Sequence, residues 1–273
     1  MPHPAPSQST PAPDFFPPAL EGYFTDLQNW SASDAESAQQ LASLNLQDTE
    51  LVALSEFHGS QGRETALICF DAAATWDIPG TAEIVAIHIQ REPADRVFTL
   101  RSTQLPTVPL AQQWLARRGV PTSSLRSFPG MERSADQMSQ WSEERIRTAG
   151  ERFKVVDHYT YSDNVVWVIF EDLDPGGLDP FLVQLETPDP DLDYRVREGR
   201  HATFQDAWTW CVNRDGPPTP TSELIPRSHA AIRISTFMRQ ANLARSKTPP
   251  ATPNTGTSAS PSTARADRPR HDR

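Results

Sequence analysis

The sequence predicts an α+β protein, with a helical N-terminal half packed with a four-stranded antiparallel meander and its covering helix, between disordered ends. Three observations lead to this fold class. Apolar residues between 34 and 149 recur mostly at helical spacing. From Phe153 onward the spacing changes to two, which is the period of strands. Both ends of the chain are rich in proline and small polar residues.

The two ends are predicted to be disordered because they cannot bury enough apolar surface to offset chain entropy. Residues 1–18 hold seven prolines. At the other end, 214–226 is a proline-rich hinge, 227–245 is an amphipathic helix, and 246–273 is a basic tail. The body between them divides into a mainly helical part, 19–150, and a sheet with one helix, 151–213.

Helices are expected first in the N-terminal part. The segment 34–44 has acids in its first turn and good helix formers behind them. A second helix is expected from Asp48 to Gly59, and a third over 63–76, where Ala and Leu recur at helical spacing. The segment 81–90 repeats this pattern.

A hairpin with strands at 50–57 and 64–70 is the rival interpretation of this region. Three consecutive alanines in 63–76 and poor alternation of apolar and polar residues favour the helices.

The middle of the body is mixed. A short strand is predicted over 96–101, and a helix over 109–118, where proline stands at the first position and Gly119 follows the end. A longer helix is predicted over 134–149, with three residues facing inward: Met138, Trp141 and Ile146.

Four strands and a covering helix complete the body. The strands are expected at 153–161, 165–171, 181–186 and 192–197, joined by short turns that make an antiparallel meander. The helix begins at Thr203 and should cover the sheet with one stripe: Phe204, Ala207, Trp208 and Cys211.

Charge is distributed unevenly along the chain, whose net charge is −10. Residues from 216 onward carry nine Arg or Lys and three acids, so this segment is basic and the preceding body is strongly acidic. An acidic body disfavours binding to a phosphate backbone. The helix at 227–245 is the predicted contact for another protein, and the sequence leaves the oligomeric state open.

Other compositional features indicate a cytoplasmic bacterial protein. The two cysteines, Cys69 and Cys211, lie in apolar patterns and are interpreted as reduced core residues. No segment has the pattern of a secretory signal or the length of apolar sequence that spans a membrane, so a soluble protein is expected. Arginine greatly outnumbers lysine, which is typical of a high-G+C genome.

Four residues are the candidate binding residues. His58 and Arg63 lie in the string SEFHGSQGRET (55–65), where two positive-capable groups stand at the edge of an acidic domain. Tyr159 and Tyr161 could form an aromatic surface, although tyrosines at this spacing in a strand are commonly core or cross-strand pairs.

No recognised catalytic or metal-binding motif is present. The histidines and cysteines form no HxH, HExxH or Cys–His cluster, so neither a metal nor a cofactor is predicted. Carboxylates for acid–base catalysis are plentiful, but one sequence cannot show that two of them share a cleft. The examples considered are Glu56, Asp71, Glu171 and Asp172.

Three strings resemble those of uncharacterised proteins from Streptomyces-type actinobacteria: TELVALSEFHG (49–59), GRETALICFDAAATWD (62–77) and REPADRVFTLR (91–101). The resemblance covers roughly residues 18–120 and implies an origin, not a function.

The first functional hypothesis is a non-catalytic binding or regulatory module. The alternative is a hydrolase, for example a glycosidase-like one, with a carboxylate pair in a cleft. A weaker alternative is DNA binding through a degenerate helix-turn-helix at 48–76.

Overall fold

The protein is described by a computed structural model that covers residues 20, 22–74, 80–128, 130–161 and 163–213. The predictions for the N-terminal tail, the hinge at 214–226, the helix at 227–245 and the basic tail lie outside these residues.

Within the described residues the chain forms ten strands and four α-helices. The strands are β1 (Ser31–Ala32), β2 (Leu51–His58), β3 (Glu64–Asp71), β4 (Ile84–Glu92), β5 (Val97–Leu105), β6 (Arg126–Ser127), β7 (Phe153–Thr160), β8 (Val166–Asp172), β9 (Phe181–Pro188) and β10 (Tyr194–His201). The helices are α1 (Ala35–Gln47), α2 (Val108–Ala116), α3 (Gln137–Thr148) and α4 (Phe204–Asn213).

The strands form two sheets. The large sheet has the order β1-β5-β4-β3-β2-β6, and the small sheet has the order β10-β9-β8-β7. All neighbouring strands are antiparallel except β1 and β5, which are parallel. Strands β1 and β6, at the edges of the large sheet, are only two residues long. Such short edges offer little backbone for pairing with another chain.

Helix α1 covers one face of the large sheet. Its N-terminus is capped by Asp34, whose carboxylate accepts a hydrogen bond from Ser37 N at 2.7 Å. The same carboxylate accepts from the guanidinium of Arg101 on β5 at 2.8 Å, which ties the start of the helix to the sheet. The Arg101 and Ser37 hydrogen bonds hold the pKa of Asp34 well below its usual range.

Helix α2 lies between the two sheets. Ala111 and Leu115 pack with the second face of the large sheet, whereas Leu110 packs with residues of the small sheet and with Ile146 of α3. Helix α4 covers the other face of the small sheet through Ala207, Trp210 and Cys211. Every sheet face is therefore covered by a helix over at least part of its area.

The mixed α+β character is present, but the predicted helical N-terminal half is wrong. The segments expected as helices over 48–59 and 63–76 contain β2 and β3, and 81–90 contains most of β4. The rival hairpin is the arrangement that the structure adopts, with His58 paired to Thr65 beside the turn. No helix-turn-helix is formed over 48–74.

The error has a physical cause in the burial of these strands. From Thr65 to Asp71 every residue of β3 is buried, because the large sheet is covered on both faces. A strand buried on both faces loses the alternation of apolar and polar residues that distinguishes it from a helix.

The later elements agree better with the sequence. Strands β5 and β7 to β10 and helices α1, α2, α3 and α4 overlap their predicted segments. The prediction that Trp141 of helix α3 faces inward is wrong. This residue is 60% exposed. The buried face of the helix consists of Ser139, Ser142 and Ile146. The two serines bond to β10, since Ser139 Oγ accepts from Val196 N at 2.8 Å and Ser142 Oγ donates to Glu198.

The predicted covering stripe of α4 is also only partly correct. Ala207 and Cys211 are buried as expected, but Phe204 and Trp208 are partly exposed, and Trp210 takes the inward position instead. Both cysteines are buried and free, as predicted. No helix among the described residues has the length and apolar character needed to cross a bilayer.

Candidate functional site

A cavity of about 100 Å³ lies between the two sheets. Its walls are mainly apolar and come from both sheets: Leu54, Phe70 and Ile84 from the large sheet side, and Val166, Pro188 and Tyr194 from the small sheet side. Pro106, Thr107 and Val108 contribute the start of α2. The remaining lining residues are polar or charged: Glu83, Arg133, Asn164, Glu186 and Asp193.

A bulge in β2 helps to shape the apolar wall. The pairing of β2 with β3 shifts between Ala53 and Ser55, so Leu54 has no partner in the ladder register. Ala53 packs on the α1 side of the sheet, whereas the next residue, Leu54, packs on the α2 side. Alternation along the strand directs Leu54 into the cavity wall, and the bulge places the following residue, Ser55, opposite Ile68 on that same side.

Arg133 is positioned by the segment that precedes α3. The next residue, Ser134, donates from its backbone N to the Asp193 carboxylate at 2.6 Å and accepts from Asp193 N at 3.1 Å through its carbonyl. These bonds fix the segment alongside the start of β10. The guanidinium of Arg133 then lies over the Tyr194 ring, 3.8 Å from its centroid.

Carboxylates surround the Arg133 guanidinium. Arg133 donates to Glu186 Oε1, and its Nη1 lies 4.0 Å from Glu143 Oε1 on α3. Glu143 also accepts from the Tyr194 hydroxyl at 2.6 Å. Burial alone would lower the pKa of Arg133, but Glu186, Tyr194 and Glu143 together raise it above its usual value. The cluster thus holds Arg133 as a cation in a mainly apolar wall.

Burial, with repulsion from Glu186, raises the pKa of Glu143 above the usual range of a carboxyl group. Burial is also the main reason that the pKa of the Tyr194 hydroxyl is raised. Burial beside Arg133 therefore favours the protonated forms of Glu143 and Tyr194.

Thr107 supplies a polar atom whose hydrogen bonding is unexplained. It occupies the N-cap position of α2, yet its side chain makes no capping hydrogen bond. The residue is only 7% exposed, and its Oγ1 has no hydrogen-bond partner among the described residues. Thr107 lines the main cavity and also a smaller adjoining cavity of about 10 Å³. A buried hydroxyl without a partner costs free energy unless a ligand or water completes it.

A second unpartnered hydroxyl belongs to the same layer. Thr160 lies opposite Val166 in the pairing of β7 with β8, and Val166 lines both cavities. Thr160 Oγ1 is buried and has no hydrogen-bond partner among the described residues.

The sequence-predicted pair His58 and Arg63 lies elsewhere, at the hairpin of β2 and β3. His58 Nε2 lies 3.0 Å from Glu56 Oε2, and the Arg63 side chain is exposed. Gly59 begins the turn, where an added Cβ would lie 2.9 Å from the Glu64 Cβ. The hairpin therefore explains the glycine without a ligand.

Tyr159 and Tyr161 lie under α4. Tyr159 stacks on its cross-strand neighbour Trp167 at a centroid distance of 6.2 Å, and the two tyrosine rings are 4.6 Å apart. These rings belong to the apolar layer between the small sheet and α4. None of the four candidate residues lines the inter-sheet cavity.

The carboxylates considered for hydrolysis do not converge. Glu56 and Asp71 stand toward opposite ends of the β2–β3 ladder, and Glu171 pairs with Lys154 in the small sheet. Asp172 is bound by Arg152 and Arg200. Across the described parts of the chain, no three His, Cys, Asp or Glu side chains form a group suited to holding a metal ion.

No protein-family model matches the chain, and neither a curated protein nor a solved structure shows significant similarity to it. The geometry of the inter-sheet cavity therefore carries the functional argument. Sequence reasoning missed this site because its lining residues come from segments as distant as Leu54, Thr107 and Tyr194. The one local signal was the helix start at 107–109, where a threonine precedes Val-Pro.

Proposed function

We propose that this protein is a non-catalytic binding module that takes a small molecule into the inter-sheet cavity. The observation that carries the proposal is Thr107, a residue of the cavity lining whose buried hydroxyl lacks a partner within the described structure. An apolar cavity with a few fixed polar groups is the usual form of a small-molecule site.

The cavity is small, so it suits a ligand, or part of one, with few atoms. Its volume of about 100 Å³ is below the roughly 150 Å³ of an apolar cavity that admits benzene. The described residues that line it include no histidine, cysteine or serine. The lining hydroxyl of Thr107 has no base within hydrogen-bond reach among the described residues, so binding has more support than nucleophilic catalysis by this residue.

The proposal assumes a reducing bacterial cytoplasm. Two buried cysteines that remain free support this setting.

The test is a titration of the full chain with butanol, butanamide, butylammonium and butanoate in turn. Backbone amide chemical shifts monitor the binding of each compound. At least one of these compounds should shift amides of the cavity lining, such as those of Thr107, Val166 and Glu186. A Val108→Phe variant, which adds bulk to the cavity lining, should remove the shifts.

The matched control is Val156→Phe, because Val156 is exposed on β7 and does not line the cavity. This variant should bind as the wild type does. If no compound shifts the lining amides, or if Val108→Phe binds as strongly as Val156→Phe, the proposed function is wrong.

A further inference from the structure

The polar lining of the inter-sheet cavity carries more negative than positive charge. Three carboxylates line it, Glu83, Glu186 and Asp193, whereas the described residues contribute a single guanidinium, that of Arg133. A fourth carboxylate, Glu143, lines the smaller adjoining cavity. An anionic ligand would therefore enter a region where negative charge is already in excess.

The positive groups of the site already have anionic neighbours. Arg133 donates to Glu186 and stacks on Tyr194. The N-terminus of α2 adds about half an elementary charge. Glu186 and Glu143 line the small cavity beside Thr107 and Pro109 at that end of the helix. A half charge and one guanidinium do not offset the surrounding carboxylates.

Two open hydrogen-bonding atoms belong to residues that border both cavities. Thr107 Oγ1 is buried and unpartnered within the described chain. Glu186 engages Arg133 through Oε1, while its Oε2 accepts no hydrogen bond from a described residue. Both residues line both cavities. An ammonium group has three donors and no acceptor, so it matches a lining that offers a carboxylate oxygen and a hydroxyl oxygen.

We infer that the ligand of the inter-sheet cavity is a small aliphatic amine in its protonated form. Its ammonium group donates to Glu186 Oε2 and Thr107 Oγ1, and its carbon chain lies against Leu54, Phe70 and Val166. This inference rests on the proposed function, because it names the class of molecule that the same cavity takes.

The titration behaviour of the neighbouring groups agrees with this assignment. Arg133 has a raised pKa, and burial together with Glu186 raises the pKa of Glu143 as well. The Arg133 pKa is raised by its anionic neighbours in spite of burial, and the same neighbours would stabilise an ammonium group; the Glu143 shift comes mainly from burial.

The deciding experiment compares butylammonium, butanol and butanoate at neutral pH, by the same amide-shift titration of the full chain. These compounds share a carbon chain and differ in the charge of the polar group. Butylammonium should bind roughly tenfold more tightly than butanol, as expected for one charge-assisted hydrogen bond. Butanoate should bind most weakly.

Glu186→Gln should weaken butylammonium binding roughly tenfold while leaving butanol binding little changed. Thr107→Val provides a second variant, in which butylammonium binding should also weaken, without removing the partner of Arg133. The matched control is Glu171→Gln, because Glu171 pairs with exposed Lys154 and does not line the cavity. Circular dichroism checks that each variant is folded.

The outcomes separate the two proposals. If butanol or butanoate binds in the cavity as tightly as butylammonium, or if folded Glu186→Gln and Thr107→Val leave amine binding unchanged, the amine assignment is wrong and the binding function stands. If neither these three compounds nor butanamide shifts the lining amides, both proposals fail.

Discussion

Asp172 and Arg152 form a two-point ion pair in which Arg152 Nε lies 2.7 Å from Oδ1 and Nη2 lies 2.9 Å from Oδ2. The carboxylate is fully buried, and Arg200 also donates to it at 2.7 Å. The pair joins the end of β8 to the turn before β7, and Arg200 adds β10. Three parts of the small sheet therefore depend on one carboxylate.

Asp172→Asn should lower the free energy of unfolding by about 3 kcal/mol, because it leaves two guanidinium groups without their anion. This value is at the low end for a buried pair, since Arg152 keeps part of its contact with solvent. Urea unfolding followed by tryptophan fluorescence measures the loss. Glu171→Gln, which removes the exposed neighbouring carboxylate, should cost less than about 1 kcal/mol.

Because of the ion pair between Asp172 and Arg152, the free energy of unfolding should depend on pH in the acid range. Hydrogen bonds from Arg152, and then Arg200, lower the pKa of Asp172 in the folded state. The pKa of an aspartate in an unfolded chain is about 3.9. The stabilisation is therefore present above about pH 4 and is lost as the pH falls further. Asp172→Asn should show a smaller loss of stability than the wild type over this acid range.

Glu143 should make the stability depend on pH in the opposite direction. Burial raises the pKa of Glu143 in the folded protein, so its protonated form is favoured there. Its contribution is complete below the unfolded value of about 4.3 and declines as the pH rises through the folded value.

Glu143→Gln imitates the protonated form and keeps an oxygen that accepts from the Tyr194 hydroxyl. The variant and the wild type should be equally stable near pH 4, and the variant should be the more stable at pH 8. Urea unfolding across this pH range measures both. A less stable variant at pH 8 would show that the attraction between Glu143 and Arg133 outweighs burial.

Thr107→Val should raise the stability of the ligand-free protein by about 1 kcal/mol, because it removes a buried hydroxyl that lacks a partner within the described chain. The matched variant is Thr65→Val, where the hydroxyl accepts from Arg91 at 2.8 Å. That change should destabilise the protein by about 1–2 kcal/mol. Thermal unfolding of the two variants under identical conditions makes the comparison.

Replacing Gly80 by a larger residue should destabilise the protein, because Gly80 has a positive φ and lies close to the Tyr159 ring. Its φ is +87°, and an added Cβ would lie 2.5 Å from the Tyr159 ring. Gly80→Ala should destabilise the protein by about 2–3 kcal/mol. Gly119 has a similar φ of +90° but open space around it. Gly119→Ala should therefore cost only about 1 kcal/mol, and chemical denaturation distinguishes the two.

The orientation of helix α3 can be tested by comparing substitutions on its buried and exposed sides. Ile146→Ala should cost about 3 kcal/mol, because Ile146 is fully buried between α2 and the small sheet. Trp141→Ala should cost less than about 1 kcal/mol, because most of this side chain is exposed. Equal losses in urea unfolding would contradict this orientation.

The sequence predicted the elements whose two faces differ. Asp34 marked the start of α1, and proline with Gly119 marked the limits of α2. The four strands after Phe153 were recognised because short turns separate them and some faces are polar. Strands β2, β3 and β4 of the large sheet were missed because neighbours such as Ile68 and Cys69 are both buried, on opposite faces.

The candidate site was beyond reach of one sequence for another reason. Thr107 resembles an ordinary N-cap, and only the structure shows that it lines a cavity and that its hydroxyl makes no capping bond. Arg133 stands in a segment without periodicity, and its partners Glu186 and Glu143 lie on a distant strand and helix. Local patterns carry no information about contacts between residues so far apart.

Helix α2 contributes Ala111 and Leu115 to the core of the large sheet and Leu110 to that of the small sheet. If either sheet unfolds, it exposes apolar surface of α2, which also packs against the other sheet. Heating should therefore produce one cooperative transition. Cutting the chain near Gly150 would separate the two sheets into pieces that each expose an apolar face. The inter-sheet cavity should therefore vanish at the same temperature as the sheets, since it exists only while both are folded.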